Sequence, residues 1–220
     1  MNSQNVKSEP DNVLLMYSGG IDSTGALHKM FTDANWLENH LYIHHIYLES
    51  REHRAEIEYL QINAILKWYR ENFPERAFTY SESFFDSSGF SSLNSNRFPY
   101  DSDVYAFIAG NVAVARKDIR RIAIGRTKTD EETANESFFK QLERSHSIFR
   151  AVYSLEKELT PTYVFPVLEH AKNEIWQLLP EEVRSMCWYC RTPVKTGIEE
   201  YRTCGHCKSC KEVATYIVGA

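Results

Sequence analysis

The stretch Leu14–Leu27, LLMYSGGIDSTGAL, constrains the fold more than any other part of this chain. A short apolar run is bounded by Asp11 on one side and by Gly19-Gly20 on the other. Such a run predicts a strand, Asn12–Tyr17, buried on both faces. The residues after the glycines, Asp22–Thr32, place Ala26, Leu27, Met30 and Phe31 on one helical face. A fully buried strand followed at once by an amphipathic helix is the opening of a parallel, helix-covered sheet.

The rest of the chain repeats that alternation. Leu41–Leu48 predicts a second strand and Glu52–Asn72 a long helix, with Pro74 beyond its end. Ala77–Ser81 reads as a third strand and Ser83–Tyr100 as a long loop rich in Ser, Asn and Phe. Asp101–Lys117 reads as a small-residue helix, Arg121–Gly125 as a fourth strand, and Asp130–Leu159 as helical with a break near Ser145. Tyr163–Val167 then leads into a short helix, Lys172–Leu179, stopped by Pro180. The expected fold class is α/β, a mostly parallel sheet with helices on both faces, followed by a cysteine-rich segment. The expected organisation is a flexible tail over 1–11, an α/β domain over 12–180 and a Cys-rich zinc-binding segment over 181–220. No internal repeat or low-complexity segment interrupts it.

At 220 residues with 43% apolar content the chain suits one such domain. A net charge of −5 argues against a broad nucleic-acid surface, so no direct nucleic-acid partner is expected. No run approaches ~20 apolar residues, so no membrane partner is expected either. The polar N-terminus has no secretory h-region. A cytoplasmic location is expected.

The turn after the first strand carries the chemistry. Gly19-Gly20 lets the backbone take positive φ and approach a ligand closely. The following helix offers free N–H groups and the positive end of its dipole, which together make an anion site. Ser18, Ser23 and Thr24 add hydroxyls, and Asp22 suits a bridging Mg²⁺. Taken alone, Gly-Gly describes no more than a tight βα turn with Asp22 or Ser23 as N-cap. The full string is not a Walker loop, because no Gly-Lys-Ser/Thr follows.

All five cysteines lie between Cys187 and Cys210, an arrangement that suggests metal rather than disulfides. Cys190, Cys204, Cys207 and Cys210 are the expected ligands of a closed, structural Zn²⁺ site, with Cys187 spare or replacing Cys190. An iron–sulfur cluster is the alternative. His206, inside the knuckle, reads as solvated.

The string Ser18-Gly-Gly-Ile-Asp-Ser23 resembles the PP-loop of the N-type ATP pyrophosphatases. Together with the C…CxxCxxC tail, the string His53–Ile57, Gly125 to Asp130, and Phe165-Pro166-Val167 with Lys172, it is similar to the QueC, 7-cyano-7-deazaguanine synthase, family. That resemblance implies ATP, Mg²⁺ and Zn²⁺ as cofactors, and adenylation of the carboxylate of 7-carboxy-7-deazaguanine. Ammonia then gives the amide, and a second ATP the nitrile. It implies that Tyr17, Ser18, Gly19, Gly20, Ile21, Asp22, Ser23 and Thr24 bind ATP, with Tyr47, Leu48 and Gly125 beside them. Ser18, Asp22, Ser23 and Lys172 would act in catalysis, and Arg126, Lys128 and Asp130 would meet the substrate. Relatives suggest a homodimer. The chain departs from the family pattern over 98–103 and 131–137, regions that in relatives line the nucleobase pocket and dimer contacts. Those departures favour a second expectation, capture of the acyl-adenylate by an amine on a protein or small-molecule partner. Other PP-loop chemistry (tRNA thiolation, sulfonucleotide reduction) and a non-catalytic nucleotide-binding module are the remaining readings.

Overall fold

A computed structural model describes residues 12–50, 52–89, 101–153 and 160–218. Five parallel strands form the sheet: β1 (Asn12–Tyr17), β2 (Leu41–Glu49), β3 (Phe78–Asp86), β4 (Ile119–Ala123) and β5 (Thr162–Val164). Their spatial order is β3-β2-β1-β4-β5. The chain therefore builds outward from β1 in one direction, then crosses back and builds in the other. The crevice at the carboxyl ends of β1 and β4, where that reversal falls, is where ligands bind in open α/β sheets.

Strand β1 is buried throughout because each face meets a separate apolar layer. Val13, Leu15 and Tyr17 join Ile43, Ile62, Ile65 and Tyr69. Leu14 and Met16 join Ile46, Ile122, Ala109 and Phe149. Helices α1 (Ile21–Thr32), α3 (Ala55–Asn72) and α7 (Lys172–Leu178) cover the first face, and α4 (Asp101–Ala115) and α6 (Glu136–Tyr153) the second. Between them lie the short helices α2 (Ala34–Leu37) and α5 (Lys128–Glu132). The tail adds α8 (Glu181–Met186), an antiparallel hairpin β6 (Val194–Gly197) and β7 (Glu200–Arg202), and α9 (Lys208–Val218). Val183, Cys187 and Val213 of this tail are buried in the α1–α3 layer.

The expected α/β class is present, with several boundaries moved. Helix α1 is capped at Gly20, not at Asp22 or Ser23, so both of those side chains lie in its first turn. Helix α3 starts at Ala55 rather than Glu52, because His53, at φ 49°, closes a turn in which its N–H donates to the Ser50 carbonyl. Strand β3 continues to Asp86, paired to Glu49, so Ser83–Asp86 are strand and not loop. Residues 90–100 of the expected loop lie outside the described residues. The expected 130–159 helix breaks at Thr133–Asn135, where the Asn135 side chain accepts the Phe138 N–H, and not at Ser145. Ser145 sits inside α6 and donates to the Gln141 carbonyl and Asp103. Strands β4 and β5 begin and end earlier than expected.

Candidate active site and metal centre

The turn after β1 is built mostly from its own backbone. Gly19 takes φ +71°, and a Cβ there would lie 2.6 Å from Ile62. Ser18 and Ser23 share a hydroxyl hydrogen bond of 3.0 Å, and Ser23 Oγ also contacts the Gly20 carbonyl at 3.2 Å. No side chain among the described residues caps α1. The first-turn N–H groups therefore face the crevice with the dipole behind them. Gly125, at the end of β4, presses against this turn: a Cβ on it would stand 2.5 Å from Ser23 N. Tyr17 and Thr24 lie behind the loop, joined by a buried 3.1 Å hydrogen bond.

Around the turn opens a cavity of 570 Å³. Ser18, Gly20, Ile21, Asp22, Ser23, Gly125, Arg126, Asp130 and Lys172 all line it. Lys172 opens α7, its N–H donating to Thr129 Oγ1, and its ammonium meets three carboxylates. These are Asp130 at 3.2 Å, Asp22 at 3.5 Å and Glu212 at 3.9 Å. Burial pushes the Asp22 carboxyl up to about 6, against the pull of Lys172, and the Asp130 and Glu212 charges push the same way. Burial works against the Lys172 ammonium, but the three carboxylates outweigh it and hold its pKa above the ordinary value. Asp130 is fixed by accepting from Thr127 N at 3.0 Å and Thr127 Oγ1 at 2.9 Å. Three carboxylates against one ammonium leave an excess of negative charge beside the uncapped N-terminus of α1. That donor set fits a divalent cation bridging carboxylate and phosphate oxygens.

Arg126 lies between the rings of Phe138 (5.0 Å) and Phe165 (5.4 Å) and pairs with Glu131 at 2.5 Å. Its buried Nε has no hydrogen-bond partner among the described residues, nor has Nε2 of His146, which stacks on Tyr163 at 4.6 Å. Both side chains line the cavity. Lys128 does not; it pairs with Glu132 at the surface. Tyr47 and Leu48 also stand apart from the cavity lining: Tyr47 stacks on Phe84, and Leu48 is buried on the α4 side.

Sequence reasoning missed the opposite wall. Arg54 there bonds Glu58 at 2.9 Å, Glu52 at 2.7 Å and Asp101. Burial pushes the Glu58 carboxyl up to about 7, opposed by Arg54. The signal was the string after β2, whose Arg54 and Glu58 stand one helical turn apart.

The sulfurs of Cys190, Cys204, Cys207 and Cys210 all lie within 4.8 Å of one another. The Cys204 to Cys210 separation is 3.8 Å. A tetrahedron with ~2.3 Å Zn–S bonds has edges of about 3.8 Å, so the four suit one ion. Backbone N–H groups of Cys204, Cys207 and Cys210 point at the sulfurs of Cys190, Cys204 and Cys207, at 3.2, 3.3 and 3.4 Å. Those bonds orient the thiolates and stabilise their charge. Cys187 is not part of the set; it is buried behind the turn, where burial pushes its thiol up to about 12. His206 is exposed, its Nδ1 beside the Cys204 carbonyl, so it is no ligand here.

No protein-family model matches the chain, and no curated protein matches it. Solved structures do. The fold resembles that of a U34-tRNA thiolase, NcsA from Methanococcus maripaludis, solved with its [4Fe-4S] cluster. It matches with a TM-score of 0.53 at 13% identity, over 98% of this chain and 67% of that one.

Proposed function

We propose that the chain is an ATP-dependent, QueC-like enzyme that adenylates a carboxylate and passes the acyl group to nitrogen. The observation that carries this reading is the anion-binding turn at the sheet reversal, with Lys172 and three carboxylates gathered beside it. The substrate is 7-carboxy-7-deazaguanine. Its carboxylate oxygen attacks the α-phosphorus of ATP, and pyrophosphate leaves. Ammonia then attacks the acyl carbon, loses a proton and expels AMP, giving the amide. A second adenylation on the amide oxygen releases another pyrophosphate, and loss of AMP and of both nitrogen-bound protons leaves the nitrile.

The first-turn amides, Ser18 and Ser23 hold the leaving pyrophosphate, and Lys172 offsets its charge. Asp22, Asp130 and Glu212 would hold Mg²⁺, which neutralises charge as the pyrophosphate departs. Arg126 and the surrounding rings orient the planar substrate. The cysteine centre holds Zn²⁺ as a structural ion. A homodimer in the cytoplasm is the working assembly.

A second reading is tRNA thiolation, favoured by the likeness to the thiolase. Thiolate sulfurs within 4.8 Å of one another suit a single ion better than a multi-iron cluster, and so favour the first. Mass spectrometry of a reaction with Mg-ATP, 7-carboxy-7-deazaguanine and ammonium tests it. Amide or nitrile appearing with AMP, and lost in Asp22→Ala, is the expected result. AMP without a released deazaguanine product would move the proposal to an amine acceptor on a partner; no AMP at all would end it.

A further inference from the structure

A four-thiolate centre is usually a staple remote from chemistry. Here both arms that supply the sulfurs continue directly into the nucleotide cavity. From the first arm, the Trp188 N–H donates to the Gly19 carbonyl at 3.1 Å, and its own carbonyl lies 3.6 Å from a Cβ built at Gly20. The indole Nε1 donates to the carbonyl of Cys190 at 2.9 Å. Next to Cys190, Arg191 joins the wall facing the turn, pairing with Glu52 at 3.2 Å and Asp101 at 3.4 Å. From the second arm, Glu212 follows Cys210 by two residues and meets Lys172 at 3.9 Å.

The covalent link between these arms is the β6–β7 hairpin, whose residues are mostly exposed. The hairpin touches the domain through Glu56, which bonds Lys195 at 2.8 Å and Tyr201. Burial of Cys187 and Val213 anchors each arm to the domain, but these hairpin contacts hold the arms to each other only weakly. Four metal–sulfur bonds hold them firmly, because a closed tetrahedral site leaves its ligands no alternative arrangement.

We propose that the cysteine centre is a positioning element of the nucleotide site: the metal joins the two arms and so seats Trp188 on the anion-binding turn and Glu212 beside Lys172, making metal and Mg-ATP bind cooperatively. The proposal rests on the ATP-binding reading above. Linkage makes the coupling reciprocal, so each ligand tightens the other by the same factor.

Three measurements test it. Amide hydrogen exchange over Ser18–Gly25 is compared in metal-loaded and chelator-treated protein, with β1 and β2 as internal reference. Exchange in the turn is expected to rise about tenfold while the reference strands hold, in the range of ordinary coupling energies. Release of the metal to a chelator is expected to slow by a similar factor with Mg-ATP present. Arg191→Ala and Glu212→Gln, which keep all four cysteines, are expected to retain the metal, raise turn exchange and weaken Mg-ATP binding. Unchanged turn exchange after metal removal, or in both variants if the depleted protein unfolds, overturns the proposal. Loaded protein that binds no Mg-ATP overturns the ATP reading instead, and the exchange result still decides whether the metal seats the turn.

Discussion

The two halves of the cavity are made in different ways. The β1–α1 turn is local: Ser18, Gly20, Ser23 and Thr24 are fixed by bonds spanning seven residues or fewer. The facing wall is assembled from afar, with Arg54 meeting Asp101 across 47 positions and Arg191 meeting Glu52 across 139. The turn's internal bonds survive disturbance elsewhere, while its seating on the sheet still leans on Trp188 and Gly125. An assembled wall fails when any of its supports is removed.

The largest effect that would break this contrast is loss of one metal ligand. Cys190→Ser or Cys204→Ser leaves three thiolates and an open position. Metal content by elemental analysis is expected to fall to near zero, and the thermal transition to broaden or split as the tail separates from the sheet. A variant that keeps stoichiometric metal and a single sharp transition would remove Cys190 or Cys204 from the ligand set.

Gly125→Ala comes next. Its Cβ would stand 2.5 Å from Ser23 N and 2.6 Å from the Asp22 carbonyl carbon, both main-chain atoms with little room to yield. Destabilisation of about 1–3 kcal/mol is expected from the overpacking, measured by denaturant titration, together with loss of nucleotide binding. Metal content is expected to stay intact, which separates the local device from the distant one.

Asp22→Asn is expected to lower turnover about 10²–10³-fold with little change in fold. It also carries a pH signature. The Asp22 carboxyl stands at about 6 in the folded chain against 3.8 for its ordinary value. A carboxyl raised on folding costs stability above its folded pKa, because the unfolded chain ionises it more easily. The folded chain takes up that proton as pH falls through about 6, so the cost fades between there and about 4. Nucleotide-free wild type should therefore gain more stability than Asp22→Asn between pH 8 and pH 5; equal gains would deny the raised carboxyl.

The smallest effect belongs to His206→Ala. The ring is exposed and outside the ligand set, so metal content should be unchanged and stability shifted by no more than about 0.5 kcal/mol.

The same division explains what could be read from the amino acids alone. The turn announced itself because glycines, hydroxyls and a carboxylate must follow one another to build it. The cysteine set announced itself through spacing. Strand β3 runs longer than its apolar signal because it lies at the sheet edge, where Glu82 and Asp86 are exposed and Ser81 and Ser83 bond His44. The break in the 130–159 helix falls at Thr133–Asn135 rather than near Ser145, whose hydroxyl is satisfied within α6 and by Asp103. The parts of Trp188, Arg191 and Glu212 in the cavity had no local sign at all. Those residues matter through partners in the turn after β1, just before α3, at the start of α4 and at the start of α7, which only the folded chain brings near.

Strand β1 also has a history in time. Its partner on one edge, β2, follows it closely in the chain, but the partner on the other edge is β4, where Asn12 meets Ile119. On the ribosome, at about 5–20 residues per second, the partner for the second backbone edge of the central strand is seconds away from being made. The crevice that would hold the nucleotide does not exist until that gap closes. The cysteines emerge later still, so a nascent chain offers its metal ligands only after the sheet they cover can already be complete.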